Sequence, residues 1–78
     1  MIIVDKDYGE FDVNLSDGGT LDTLISVDHP FAGSQDIGYS QEYTANYRDE
    51  NGVMTDDGFA ELAEDAVECY IELYINNP

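Results

Sequence analysis

The sequence predicts an α+β fold, in which a small antiparallel β-meander of three to four strands carries one C-terminal α-helix packed on one face. Over the first two thirds of the chain, short segments alternate apolar and polar residues, as half-buried strands do, and turn residues separate them. The last third repeats its apolar residues at helical spacing instead. A chain of 78 residues has room for one hydrophobic core, so residues 1–78 are expected to form a single domain.

Four segments predict the strands, at about 2–5, 10–15, 21–28 and 37–48. The first is a compact apolar run. The second alternates Phe11, Val13 and Leu15 with polar residues, which is the period-two pattern of a strand with one buried face. The turn at 16–19 contains two glycines and predicts a hairpin with the third strand, because glycine adopts positive φ at little cost.

The fourth predicted strand follows a loop at 29–34, in which Pro30 cannot donate to a β-ladder. Alternation over 37–48 places every second residue on one face of this strand, and that face holds Tyr39, Gln41, Tyr43, Ala45 and Tyr47. A turn at 51–52 ends the strand, and residues 53–54 are expected to pair back briefly.

The strongest pattern predicts one α-helix over about 56–75. Its apolar residues form a single stripe, made of Phe59, Leu62, Ala63, Ala66, Val67, Tyr70, Ile71 and Tyr74. Thr55 is the expected N-cap, and Asp56 and Asp57 complement the positive end of the helix dipole. Gly58 costs about 1 kcal/mol relative to alanine inside a helix, which favours a start one or two residues later.

The charge of the chain restricts its partners. Eighteen acidic residues face two basic ones, Lys6 and Arg48, and the formal net charge is −16, whereas about 2–8 in magnitude suffices for a small soluble domain. Two cations cannot neutralise a track of phosphates, so direct binding to nucleic acid or to an anionic membrane is excluded. The hydrophobic fraction of 42% is nevertheless well above that of disordered acidic tails.

The same composition indicates a cytoplasmic protein. No run approaches the roughly 18 apolar residues of a membrane span. Residues 1–5 lack the basic start and the apolar length of a signal peptide. The single cysteine, Cys69, has no partner for an internal disulfide and suits a reducing compartment.

Few residues could carry catalysis, and no enzyme activity is expected. The only histidine, His29, precedes a proline in a predicted loop, and Cys69 lies among carboxylates that disfavour a thiolate. A pair of carboxylates of the glycosidase type would need a deep cleft, which so short a chain hardly forms.

No cofactor or dedicated metal site is expected either. The acidic turns at 5–9 and 49–52 depart from the spacing of an EF-hand loop, and one cysteine with one histidine are too few for zinc. A calcium-binding module remains an alternative because surface carboxylates are abundant.

The polar side of the predicted helix is its most unusual feature, since it holds Glu61, Glu64, Asp65, Glu68 and Glu72. With a rise of 1.5 Å per residue, successive carboxylates are roughly 4.5–6 Å apart along the axis, a scale comparable to that of phosphates along a DNA strand. Like charges at this spacing cost about 0.2–0.5 kcal/mol per pair, and no basic residue follows Arg48 to relieve them.

Two further acidic groups flank the helix. The first holds Asp49, Glu50, Asp56 and Asp57, and the second, around the first turn, holds Asp5, Asp7, Glu10 and Asp12. If the fold brings these groups together, they form a continuous negative surface that attracts a basic groove.

In size, charge, small fold and acidic helix, the whole chain resembles the small acidic inhibitors that phages make against nucleic-acid-binding defence systems, namely anti-CRISPR proteins and anti-restriction DNA mimics. No residue motif carries the resemblance. It implies a non-catalytic inhibitor that binds the basic surface of a host defence complex, such as a CRISPR surveillance complex, and blocks DNA binding by phosphate mimicry in the host cytoplasm. The helix acids and the group at 49–57 would then form the partner-binding site.

Besides calcium binding, three further possibilities remain open. The tyrosines and aliphatic residues could serve a structural or adaptor domain that binds other proteins. A halophile-adapted domain would acidify its surface for solvation alone. Leu73, together with Tyr70 or Tyr74, could form the seam of a homodimer.

Overall fold

The computed structural model describes residues 1–17 and 22–76 and confirms the α+β fold. One antiparallel sheet has its four strands in sequence order, and a C-terminal helix lies across one face. The strands are β1 (Ile2–Asp5), β2 (Gly9–Asp17), β3 (Asp22–His29) and β4 (Gly33–Ser40). The helical elements are α1 (Gln41–Thr44), a 3₁₀ turn (Ala45–Tyr47), α2 (Asp56–Tyr70) and a π-helical turn (Ile71–Ile75).

The register of the sheet separates an apolar face from a polar one. Residues that lie opposite each other in antiparallel strands share a face, and the pairs Ile3–Phe11, Val13–Val27 and Ile25–Ile37 all point towards α2. The core consists of these sheet residues and the buried side of α2, and its fully or almost fully buried members are Phe11, Val13, Ile25, Val27, Ile37, Leu62, Ala63, Ala66, Val67 and Tyr70. The predicted helical stripe is therefore confirmed over α2.

The first three strands lie where the sequence places them. Strand β2 continues two residues beyond its predicted end, to Asp17, and a β-bulge shifts its register between Leu15 and Asp17. The rest of the predicted glycine turn, and residue 21 of the predicted third strand, lie outside the described residues. The predicted loop at 29–34 is shorter than expected, because β4 already begins at Gly33, whose φ of +91° favours glycine.

The predicted fourth strand at 37–48 is wrong beyond residue 40. The chain turns helical there because the Ser40 hydroxyl accepts the Tyr43 N–H at 3.2 Å and so caps α1. Tyr39, Tyr43 and Tyr47 are spaced by four, which fits both a strand of period two and neighbouring positions on a helical turn. The alternation therefore could not distinguish the two structures.

The return pairing at residues 53–54 is confirmed in reduced form, as an isolated antiparallel bridge between Arg48 and Met54. Helix α2 then begins at residue 56, capped as predicted by Thr55, whose hydroxyl accepts the Gly58 N–H at 2.9 Å. A later start, which the propensity of Gly58 favoured, is not observed.

Glycine at position 58 is required by close packing. A Cβ there would collide with the carbonyl oxygen of Tyr47 and would lie 2.8 Å from Thr55 Oγ1. The 3₁₀ turn therefore approaches the first turn of α2 more closely than any side chain would allow.

The predicted helix continues to residue 75, but not as an α-helix throughout. Residues 71–75 form a π-helical turn, and the Asn76 N–H donates to the Ile71 carbonyl, five residues back, at 2.8 Å. The wider turn changes which side chains face the core, and Tyr74, predicted on the buried stripe, is 43% exposed.

Candidate functional site

The outer side of α2 carries most of the predicted acidic stripe. Because Leu62, Ala66 and the other buried positions face the sheet, the positions between them face away from it. Glu61, Glu64 and Glu68 are exposed there, and Asp65 is half-buried. We call these four residues the acidic helix face. Glu61, Asp65 and Glu68 follow each other at roughly 4.5–6 Å along the axis.

Glu72 lies just beyond the α-helical part of this array. It is exposed and belongs to the π-helical turn Ile71–Ile75, in which the Asn76 N–H donates to the Ile71 carbonyl.

A second acidic group lies at the N-terminal end of α2, as predicted. Its members are Asp49, Glu50, Asp56 and Asp57, and all four are exposed. Asp56 and Asp57 occupy the first turn, where the helix dipole stabilises negative charge. Asp49 also has a structural role, since its Oδ1 accepts the N–H groups of Asn51 and Val53 at 2.8 and 3.0 Å. The bond from the Thr55 N–H to the Tyr47 carbonyl, at 3.2 Å, keeps this turn beside the start of α2.

Of the acids around the first turn, Asp5 lines one groove together with Glu64 and Glu68 of the acidic helix face, whereas Glu10 and Asp12 do not join that face. Glu10 lies opposite Val4 and Asp12 opposite Ile2, on the face of the sheet that points away from α2. Asp7 lies in the β1–β2 turn. The predicted continuous surface therefore forms only in part, because Asp5 adjoins the acidic helix face while Glu10 and Asp12 lie on the other side of the sheet.

The open face of the sheet also holds acids that sequence reasoning did not select. Asp28 lies directly opposite Asp12, and Asp36 lies opposite Ser26 one row further. Like charges in opposite positions are destabilising. The alternation of Asp22, Ser26 and Asp28 in β3 was the signal that could have identified this face.

The few cations do not neutralise the acidic helix face. Arg48 donates to three neutral oxygens: Thr23 Oγ1 at 2.7 Å, the Gly52 carbonyl at 2.9 Å and Thr44 Oγ1 at 3.4 Å. Within the described residues, the one ion pair joins the amino group of Met1 to Asp12 at 3.7 Å. Among the described residues, no cation therefore pairs with the carboxylates on α2.

A ladder of tyrosines borders the acidic helix face. Tyr39 and Tyr43 stack with ring centroids 5.3 Å apart, and Tyr43 and Tyr47 are 5.9 Å apart. The Tyr39 hydroxyl donates to Asp65 Oδ2 at 2.8 Å. Burial raises the pKa of Tyr39 far above its ordinary value, and the hydrogen bond and negative charge of Asp65 raise it further. Asp65 is therefore the one acid of this face with a fixed orientation.

The two residues considered for nucleophilic catalysis have structural environments. The Nδ1 atom of His29 accepts the N–H groups of Phe31 and Ala32, each at 3.2 Å, so that Nε2 carries the proton and donates to the Tyr8 carbonyl at 2.8 Å. Burial, and then the charge of Asp65, raise the pKa of the Cys69 thiol, which disfavours the reactive thiolate.

No three histidine, cysteine or acidic residues among those described are placed to hold a metal ion. None of the helices in residues 1–17 and 22–76 has both the length and the apolar character needed to cross a bilayer. Comparison of the chain with protein-family models, with curated proteins and with solved structures finds no match.

Proposed function

We propose that this protein is a non-catalytic inhibitor that binds the basic nucleic-acid-binding surface of a defence complex, such as a CRISPR surveillance complex, in the cytoplasm of a host cell. It would block DNA binding because its carboxylates occupy the positions of phosphates. The observation that carries the proposal is the acidic helix face: exposed carboxylates on one helix, paired with no cation of the described residues.

The rigidity of the array supports this function. Helix α2 is anchored along its length by the core, and Asp65 is held by Tyr39. A partner that binds a preformed array loses less conformational entropy than one that must order it. The negative group at the N-terminal end of α2 extends the charge along the same side of the molecule and would increase the rate of association with a basic groove.

The test compares charge reversals on the two sides of the sheet. The helix variant is Glu61→Lys with Glu68→Lys, and its matched control is Glu10→Lys with Asp36→Lys on the open face; all four side chains are exposed. Both double variants change the net charge by the same amount. Displacement of target DNA from a surveillance complex is measured by mobility shift, and the thermal unfolding of each variant is measured alongside.

We expect the helix variant to lose inhibition while it remains folded, and the control to retain most of it. Inhibition by the unmodified protein should also weaken steeply between about 50 and about 300 mM salt, since screening shortens the range of the attraction. Equal loss in both variants would show that net charge, and not the helix array, is responsible. Full inhibition by the helix variant would refute phosphate mimicry.

A structural or adaptor function is the second candidate, and the exposed apolar residues next to the helix favour it. Tyr43 is 45% exposed, Leu73 52% and Tyr74 43%. Binding through such residues would change little with salt, because it depends on apolar burial. The salt series therefore distinguishes the two candidates, and replacement of Leu73 by serine would weaken only the adaptor interaction.

A further inference from the structure

No strand among residues 1–17 and 22–76 pairs with the outer edge of β1. Strand β1 is at the edge of the sheet. The Met1 amino group donates to the Val13 carbonyl at 2.9 Å, and the Val13 N–H donates to the Met1 carbonyl at 2.7 Å. In an antiparallel pair the hydrogen-bonded positions alternate, so the backbone N–H and C=O groups of Ile2 and Val4 point away from β2. They are placed as a template for a further strand.

Two side chains on this edge are apolar and exposed. Ile2 is 57% exposed and Val4 is 71% exposed, both on the open face of the sheet. Edge strands are commonly protected by a lysine, a proline or a bulge, and residues 2–4 contain none of these.

A groove of about 250 Å³ runs between this edge and α2. Its floor is apolar, and its charged lining residues are Asp5, Glu64 and Glu68. A strand added beside β1 would direct alternate side chains to this groove and the others to the open face, next to Ile2 and Val4. Basic side chains would suit the groove, and apolar ones would suit the open face.

From this geometry we infer that the β1 edge binds an extended, cationic segment of a partner protein by β-strand addition, with basic and apolar residues alternating. The charge of the chain argues against a second copy as the occupant, because two chains with a net charge of −16 each repel one another. The inference does not depend on phosphate mimicry, since it requires a backbone edge and a specific alternation that a phosphate mimic does not need.

The test uses two octapeptides of equal composition and charge. One alternates lysine and valine, and the other arranges the same residues in like pairs, which destroys the alternation. Binding of each labelled peptide is measured by fluorescence anisotropy. We expect the alternating peptide to bind at least about tenfold more tightly, whereas a purely electrostatic surface would bind both equally.

Two modifications then test the backbone pairing. Val4→Pro removes an outward N–H that makes no bond to β2, and Val4→Thr is its matched control because it keeps that N–H. The preference for the alternating peptide should disappear in Val4→Pro and persist in Val4→Thr. If Val4→Pro is not folded, N-methylation of alternate peptide residues provides the same test from the peptide side.

Equal binding of the two peptides would overturn the inference, and so would a preference that survives both the proline and the N-methylation. A dimer in sedimentation experiments that Val4→Pro dissociates would also overturn it, since the occupant would then be a second copy. The charge reversal Glu61→Lys tests phosphate mimicry separately, because Glu61 does not line the groove and its replacement leaves the β1 backbone unchanged.

Discussion

Replacing Gly58 by alanine tests how closely the 3₁₀ turn and α2 are packed. On helix propensity alone, the change should stabilise the protein by about 1 kcal/mol. The structure predicts the opposite, because the new Cβ would overlap the Tyr47 carbonyl oxygen and crowd Thr55 Oγ1. The obstruction is backbone, so no side-chain rotation can relieve it.

The expected loss follows from the contacts that must give way. Overpacking of this kind costs about 1–3 kcal/mol. A shift of the 3₁₀ turn would also weaken the Thr55 cap, worth about 1 kcal/mol, and the bond from the Thr55 N–H to the Tyr47 carbonyl, worth about 0.5–1.5 kcal/mol. If the cap and this bond are both lost, subtraction of the propensity gain leaves a net destabilisation of about 1.5–4.5 kcal/mol.

Urea denaturation followed by far-UV circular dichroism measures this difference. The matched control is Gly38→Ala, where the added Cβ would meet only Leu24 Cδ2 at 3.6 Å, an ordinary contact. The control should unfold at nearly the same urea concentration as the unmodified protein. A stabilised Gly58→Ala variant would refute the close approach of residues 47 and 58.

Other predictions concern the hydrogen bonds that join separate elements. Arg48→Met should destabilise the protein by about 2–3 kcal/mol in urea denaturation, because it removes charged donors from buried Thr23 and from two other oxygens. Arg48→Lys keeps the charge but lacks the planar fork of the guanidinium group, so it should retain less than half of the stability that Arg48→Met loses. His29→Leu should lower the free energy of unfolding by about 1–3 kcal/mol in the same assay, because it removes the imidazole bonds to the Tyr8 carbonyl and to the N–H groups of residues 31 and 32. An unchanged urea midpoint would contradict that role. Burial raises the pKa of both Tyr39 and Tyr70, so above about pH 10 the unfolded state loses these protons first and stability falls as pH rises. The Tyr39→Phe variant should show a shallower fall in a pH series of unfolding midpoints, and an equal slope would show that Tyr39 ionises alike in both states.

The fold class, three of the four strands and the N-cap of the long helix could be predicted from the sequence. In each case a periodic pattern and a specific end signal agreed, as Thr55 and the apolar stripe did for α2. The segment 41–47 could not be assigned correctly because tyrosines spaced by four satisfy both periodicities. The effect of Gly58 on the start of the helix was also predicted wrongly. Glycine is required there by a close contact with residue 47, which no local sequence pattern reveals.

The candidate site was predictable in its parts but not in its division between two surfaces. Helical spacing placed Glu61, Glu64 and Glu68 together because an α-helix has a known period. The π-helical turn that holds Glu72 was not predicted, because the apolar spacing gives no sign of it. Whether Glu10 and Asp12 would join these residues depended on which face of the sheet α2 covers. Tertiary packing determines that face, and the local sequence pattern does not show it.

The stacked tyrosines have a practical consequence for experiments in solution. The chain contains no tryptophan, so tyrosine dominates its near-ultraviolet absorption and emission. Rings held 5.3 and 5.9 Å apart couple their electronic transitions, and the resulting dichroic bands vanish once the rings separate. The Tyr70 and Tyr74 rings, with centroids 5.3 Å apart, couple in the same way. The molecule therefore contains an intrinsic optical probe of how the segment after β4 and the end of the long helix are packed, and that probe requires no dye or engineered fluorophore.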